Sequence, residues 1–403
     1  MKYNFDKVID RSGTSAEKVE GLKHIWGRTD LIPLWVADMD FATAPFVTDA
    51  IRKRCENEVL GYTGKPDSYY NAIINWVKQR YDLIVTKEVI NFVPGIVPGI
   101  GMAMNCFTQK GDKVMIQPPV YHPFAWVTTR NERTLVINPL RWENGMYRMD
   151  LDAFREQIKG CKLFILCNPH NPGGVVWTEA ELRAIADICY DEKVLVFSDE
   201  IHADLTLPPH THRPFATVSE KARMNSVTFM SPSKAFNMPG LSASHALIFN
   251  EDLRKRFRIY MDAGELDMGH VFAFLSVEAA YSHGTEWLDQ CLAYIQGNID
   301  FVDEFLKKHA PKIKAIRPEA SYLVWLDCRE LELSQKDLNE FFVDKAHLAL
   351  NDGEMFGKEG IGFMRLNVAS PRCIIEKAMK QLADAYQLYN TSVKNYREIK
   401  IKQ

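Results

Sequence analysis

No two cysteines in this sequence stand in a Cys-x-x-Cys spacing. The eight present, at positions 55, 106, 161, 167, 189, 291, 328 and 373, are scattered. That pattern argues against a zinc site or a disulfide frame and fits thiols kept in a reducing compartment. Runs of 18 or more apolar residues are missing, so no helical membrane span is expected. Positive charge is not in excess. Lys and Arg number 49 against 52 Asp and Glu, for a net charge of −3. The chain therefore carries no basic footprint for nucleic acid. The opening residues, Met1-Lys-Tyr-Asn-Phe-Asp-Lys7, lack the apolar core of a signal peptide, which points to a cytoplasmic location. Repeats, low-complexity stretches and a detached linker are also missing. What remains is ordinary for a soluble globular protein: 403 residues, 46% hydrophobic and 25% charged. That length allows about two to three domains.

The chain is organised around two strand ends. Val194-Leu-Val-Phe-Ser198 is an apolar, β-branched run that reads as a buried parallel strand, and Asp199-Glu200-Ile201-His202 follows it. Val227-Thr-Phe-Met230 reads the same way and leads into Ser231-Pro232-Ser233-Lys234. Ligands of open α/β sheets sit at the carboxyl ends of strands. A carboxylate and a lysine delivered to that edge suit pyridoxal phosphate chemistry, with the lysine forming a Schiff base and the acid pairing with the pyridinium nitrogen. Taken singly, the lysine also reads as a solvated surface charge and the aspartate as a helix N-cap.

In chain order, residues 1–30 read as a polar, irregular arm, followed by a short strand and turn over 31–41. A helix is predicted from about Pro45 to Glu58, with Pro45 at its first position. Tyr62 lies in a glycine-flanked loop, Leu60-Gly-Tyr-Thr-Gly64. Residues 68–81 have helical periodicity. Ile90-Asn-Phe-Val-Pro-Gly-Ile-Val-Pro-Gly-Ile-Gly101 reads as strand, glycine turn and helix start, a possible phosphate cradle because helix N-termini offer free N–H groups. Strands are expected at 113–117 and 161–167, the second ending in Asn168-Pro-His-Asn-Pro-Gly-Gly174. Thr178 and Glu181 form a capping box for the next helix. The alternation over 90–250 argues for a mostly parallel sheet with right-handed crossovers. Residues 266–310 read as one long helix. The remainder, with Tyr322–Asp327 and Phe363–Ala369, reads as a smaller α+β domain. The expected organisation is an arm and part of the small domain at 1–45, a large domain at 46–285 and the small domain at 286–403.

The order Asn-Pro-x-Asn-Pro-Gly-Gly, Ser-Asp-Glu-Ile-His, Ser-Pro-Ser-Lys and Arg-Leu-Asn resembles fold-type I pyridoxal phosphate enzymes of the aspartate aminotransferase superfamily. Trp35-Val-Ala-Asp-Met-Asp-Phe41, Gly61-Tyr-Thr63, Pro118-Pro-Val-Tyr121 and Ser198–His202 narrow the resemblance to MalY/PatB-type cystathionine β-lyases. The resemblance implies an α/β fold with a large domain and a smaller α+β domain. It implies Lys234 as the Schiff-base lysine, Asp199 at the pyridine nitrogen, and Asn171 at the phenolic oxygen beside the substrate. Tyr121 would stack on the ring, and Ser231, Ser233 and the backbone at Ile96 and Val97 would hold the phosphate. Tyr62 would reach the phosphate of the other subunit in an obligate homodimer, and Arg365 would grip the substrate carboxylate. His202 stands where many aminotransferases carry tyrosine, and its part, contact with the cofactor or support of Asp199, is left open. Ser242 stands where many carry a phosphate-binding arginine. The implied reaction is elimination from a cysteine S-conjugate, with Lys234 as proton donor to sulfur and Tyr121 or Tyr62 next in line. An aminotransferase is the alternative. No metal is called for.

Overall fold

The computed structural model describes residues 2–401. Its contacts divide the chain into two units. One comprises Ala42–Leu292 with Glu319–Ser321. The other is assembled from residues up to Phe41, Ala293–Pro318 and Tyr322 onward.

The larger unit is built on seven strands: β1 (Ile90–Val93), β2 (Lys113–Ile116), β3 (Thr134–Ile137), β4 (Cys161–Cys167), β5 (Leu195–Asp199), β6 (Ser226–Met230) and β7 (Ser244–Leu247). Their order is β1-β7-β6-β5-β4-β2-β3. The run from β6 to β3 is parallel, while β7 runs antiparallel to both of its neighbours. This is the mostly parallel sheet that the alternating pattern predicts. Every residue of β6 and β7 is buried, as continuous apolar strands covered on both faces should be. β3, at the edge, is only partly covered. Helix Ile96–Phe107 packs on β1, β6 and β7, and helix Glu179–Asp191 on β5. One core cluster joins Ile100 of helix Ile96–Phe107 to Val93, Ile116, Phe124, Ile165, Phe197, Phe229 and Phe257.

The smaller unit has a four-stranded antiparallel sheet: β8 (Lys314–Ile316), β9 (Leu323–Asp327), β10 (Asn351–Asp352) and β11 (Phe363–Asn367), ordered β8-β9-β11-β10. A two-residue ladder pairs Ile32–Pro33 with Leu348–Ala349.

Three expectations are corrected. The arm is not irregular throughout, because Glu17–Trp26 is an α-helix. Its N-cap, Ala16, makes no side-chain cap bond, so the usual start signal is missing from the sequence. The long helix over 266–310 is two helices, Val271–His283 and Thr285–His309, preceded by turns. They part at Gly284, where an added Cβ would lie 2.2 Å from the Ala280 carbonyl oxygen and 2.4 Å from the Phe236 ring. The helix that starts at Pro45 stops at Cys55, short of Glu58.

Candidate active site

Three adjacent parallel strands end side by side at the chemistry. Asp199 closes β5, opposite Cys167 at the end of β4 and Phe229 in β6. Its carboxylate is 3% exposed. Among the described residues its one hydrogen bond comes from the Ile201 N–H, at 3.1 Å. Burial pushes its pKa up to about 7, the adjacent Glu200 adds to the rise, and Lys234 pulls it back down. Asp199 and Lys234 are thus within electrostatic reach of each other.

The loop after β4 is fixed on this edge. The Asn168 N–H donates to the Asp199 carbonyl at 2.9 Å, and the Asn171 N–H reaches Cys167 Sγ at 3.3 Å. Trp177 Nε1 donates to the Cys167 carbonyl at 2.8 Å. His170 Nε2 lies 2.8 Å from the Pro119 carbonyl, and burial lowers its pKa to about 4. The neutral ring therefore donates from Nε2. Gly173 has no room for a side chain, since a Cβ would come within 2.9 Å of both His170 and Tyr147. Asn171 is held where the sequence placed it, at the strand ends.

Beyond β6, Ser231 Oγ lies 2.8 Å from the Ala243 carbonyl and 2.9 Å from the Ser233 hydroxyl, and accepts the Ser233 N–H at 3.1 Å. Lys234 follows, half-buried. Ile96 and Val97 open a twelve-residue helix after Gly95, whose φ of 134° suits glycine. Their N–H groups are among the four at a helix start that lack intrahelical partners, at the positive end of the dipole. Gly99 lets this helix approach the sheet: a Cβ there would sit 2.9 Å from Val93 and 3.2 Å from Phe229. Tyr121 is half-buried against the core, with its ring edge-on to Phe124 at 5.7 Å. His202 is buried just before the turn Ala203–Leu205. Ser242 is exposed in a left-handed turn.

Two further candidates are Tyr62 and Arg365. Tyr62 is 97% exposed. Its loop and residues 267–271 line an open pocket of about 720 Å³, tied by the ion pair of Lys65 with Asp267. Arg365 lies in the smaller unit, 3% exposed. It donates to the Trp35 carbonyl at 3.2 Å and to Asn351, with its guanidinium 4.8 Å from the Phe356 ring centre.

Sequence reasoning missed the group behind Asp199. Glu200 Oε1 accepts from Ser198 Oγ and the Phe215 N–H, each at 2.8 Å, and Oε2 lies 2.8 Å from His212 Nε2. Glu200 was visible beside Asp199, but nothing marked His212.

A buried carboxylate with a single hydrogen bond is under-partnered. A cationic ring nitrogen is the kind of group that would complete it, so the residues fit pyridoxal phosphate. A family model for aminotransferase class I and II matches residues 29–382. The chain belongs to the aminotransferase class I and II family. Among its relatives, cystathionine β-lyase PatB of Bacillus subtilis is 38% identical over 384 residues, covering 95% of this chain and 99% of that one. A pyridoxal phosphate-bound putative aminotransferase from Clostridium difficile superposes with a TM-score of 0.93 at 40% identity, covering 95% and 100% of the two chains. A pyridoxal phosphate-bound C-S lyase from Staphylococcus hominis does so with a TM-score of 0.88 at 35% identity, covering 95% and 98%. The class I and II fold, fold-type I, thus accounts for both units.

Proposed function

We infer that this protein is a pyridoxal phosphate-dependent carbon–sulfur β-lyase that converts cystathionine, cysteine or a related cysteine S-conjugate into a thiol or sulfide, pyruvate and ammonia. The observation that carries the choice of reaction is the likeness to PatB over nearly the whole length of both chains. When bound, the cofactor supplies an electron sink for the charge left on the substrate Cα. Lys234 would hold it covalently, Asp199 would pair with its ring nitrogen and keep that nitrogen protonated, Asn171 would meet the phenolic oxygen, and Tyr121 would cover the ring. The Ile96 and Val97 N–H groups and the Ser231 and Ser233 hydroxyls hold the phosphate, and the exposed Ser242 adds no positive charge there. His202, packed just past the strand end, supports Asp199.

Arg365 orients the substrate through its carboxylate with a two-pronged guanidinium. Once the substrate amine has displaced it from the cofactor, Lys234 Nζ would be free to take the Cα proton as general base and to return a proton to the departing sulfur, with Tyr121 or the partner copy's loop tyrosine as the second donor. With the Cβ–S bond broken and one water taken up, the products would be the thiol, pyruvate and ammonia.

The protein works as a homodimer. Tyr62 at 97% exposure, with the exposed apolar Val59, Leu60 and Met268 close by, supports a loop that completes a second copy's site. The absence of any disulfide among the cysteines supports a cytoplasmic setting.

An aminotransferase is the second reading, favoured by the likeness to the Clostridium difficile protein. One assay separates them. Incubated with cystathionine and no keto acid, a lyase releases pyruvate and thiol over many turnovers. An aminotransferase stops after one cycle until keto acid is added.

A further inference from the structure

Lys18 is a fully buried lysine, and lysines are almost never fully buried unless paired. It lies on helix Glu17–Trp26, and none of the roles given above uses it. Its ammonium donates to Asp40 Oδ2 at 2.9 Å, stands 3.6 Å from Asp38 Oδ1, and lies 3.4 Å from the Asp38 carbonyl. Arg11 grips the same two acids from the other side, at 2.6 and 3.2 Å on Asp38 and 3.3 Å on Asp40. Two cations and two carboxylates thus neutralise one another on a single short segment, residues 35–40. Trp35 Nε1 returns a bond to the Lys18 carbonyl at 3.0 Å, and its ring passes over Gly21, where a Cβ would lie 3.0 Å away.

The other side of that segment meets β11 and β9. Arg365 donates to the Trp35 carbonyl at 3.2 Å. Asn367 Nδ2 donates to the carbonyls of Val36 and Asp38, each at 2.6 Å. The Tyr322 hydroxyl donates to the Ala37 carbonyl at 2.9 Å. Four consecutive carbonyls are therefore directed at three side chains, one of them Arg365. The direction of the Arg365 fork depends on where the Trp35 carbonyl stands, and that depends on what pins the segment from behind.

We propose that Lys18, with Arg11, is a positioning residue for substrate recognition: through Asp38 and Asp40 it fixes residues 35–40, whose Trp35 carbonyl aims Arg365 at the substrate carboxylate. The inference rests on the reading of Arg365 given above. Apolar side chains in place of the whole cluster would match its stability, because buried ion pairs are often no better than packed hydrophobic groups, whereas removing Lys18 alone leaves Asp38 and Asp40 with Arg11 as their one cation among the described residues. The four charges serve placement of the segment.

The test uses the holoenzyme and two non-reacting amines, glycine and methylamine, which differ only in the carboxylate. Each is titrated against the cofactor absorbance. In the native protein, glycine binds much more tightly than methylamine. Lys18→Met lowers that preference about 10-fold, equivalent to about 1.4 kcal/mol, and raises KM for cystathionine with kcat within about twofold. Arg11→Gln, at a partly exposed site that leaves no buried unpaired ammonium, moves the preference the same way and decides the matter if Lys18→Met does not fold. Methylamine affinity is unchanged in both. Adding Lys18→Met to Arg365→Ala produces no further loss, since both act through one contact. If the folded Lys18 and Arg11 variants keep the native preference while Arg365→Ala loses it, the positioning role is wrong and the Arg365 reading stands. If Arg365→Ala itself keeps the preference, both are wrong.

Discussion

At the scale of single residues, burial and charge set terms that can be measured without turnover. Asp199 holds its proton up to about pH 7 in the fold but only to 3.8 when exposed. A group with a raised pKa favours the fold below its unfolded value, and that contribution is lost as pH rises toward 7. In cofactor-free protein at pH 8, the carboxylate is a cost. Asp199→Asn should therefore raise the apo melting temperature, by the equivalent of about 1–3 kcal/mol, and should shrink the rise that added pyridoxal phosphate produces. A cofactor-induced rise as large as in the native protein would mean that Asp199 does not face the ring nitrogen. The buried histidines act with the opposite sign. Burial lowers His245 to about 3 and His170 to about 4, from 6.5. His245 has no hydrogen-bond partner among the described residues. Both contribute stability above pH 6.5 that is lost as pH falls toward their folded values. His245→Leu should flatten the loss of stability between pH 7 and pH 5 in urea titrations. An unchanged slope would show that the ring is not buried neutral.

At the scale of elements, helix Ile96–Phe107, which we propose faces the phosphate, depends on Gly95 and Gly99. Alanine is the better helix former by up to about 1 kcal/mol. At position 99, however, its Cβ would meet the Val93 Cβ at 3.0 Å, on a strand that cannot shift alone. Overpacking of that kind costs about 1–3 kcal/mol and outweighs the propensity gain. Gly99→Ala should weaken cofactor affinity about tenfold in equilibrium dialysis, with Asp199 and Lys234 untouched. Native affinity would show that the helix N-terminus does not touch the phosphate.

The same elements show what a sequence can and cannot disclose. β4, β5 and β6 were legible because strands buried on both faces are written as continuous apolar runs, and the capping box Thr178–Glu181 forms as its spacing predicts. The positions of Asp199, Asn171 and Lys234, though not their roles, were legible because Asp199 ends such a run and the other two lie in the loops that follow one. Helix Glu17–Trp26 was hidden because its inward face includes Lys18 and Gly21, which no hydrophobic period would flag. The break at Gly284 was hidden because its cause is crowding by Phe236, far away in the chain. His212 was hidden for the same reason: its partner Glu200 is chosen by folding, not by spacing.

At the scale of the whole molecule, the exposed Tyr62 loop predicts complementation. If sites are shared as proposed, Tyr62→Phe and Lys234→Ala proteins, each impaired, should regain activity when unfolded and refolded together, since a mixed dimer has one site with both residues intact. Random pairing gives at most about a quarter of the native rate. No regain, or full activity in a species that sediments as a monomer, would rule out shared sites.

The smaller unit is assembled from three separated stretches of chain, with residues up to Phe41 joined by partners that begin at Ala293. Synthesis runs in one direction at about 5–20 residues per second. The segment bearing Leu22, Leu31, Leu34 and Phe41, all buried in the finished fold, must therefore wait tens of seconds for the residues that cover it. A ribosome-stalled chain ending at Leu292 should be cut by protease within residues 1–41 while the strands of the larger sheet resist.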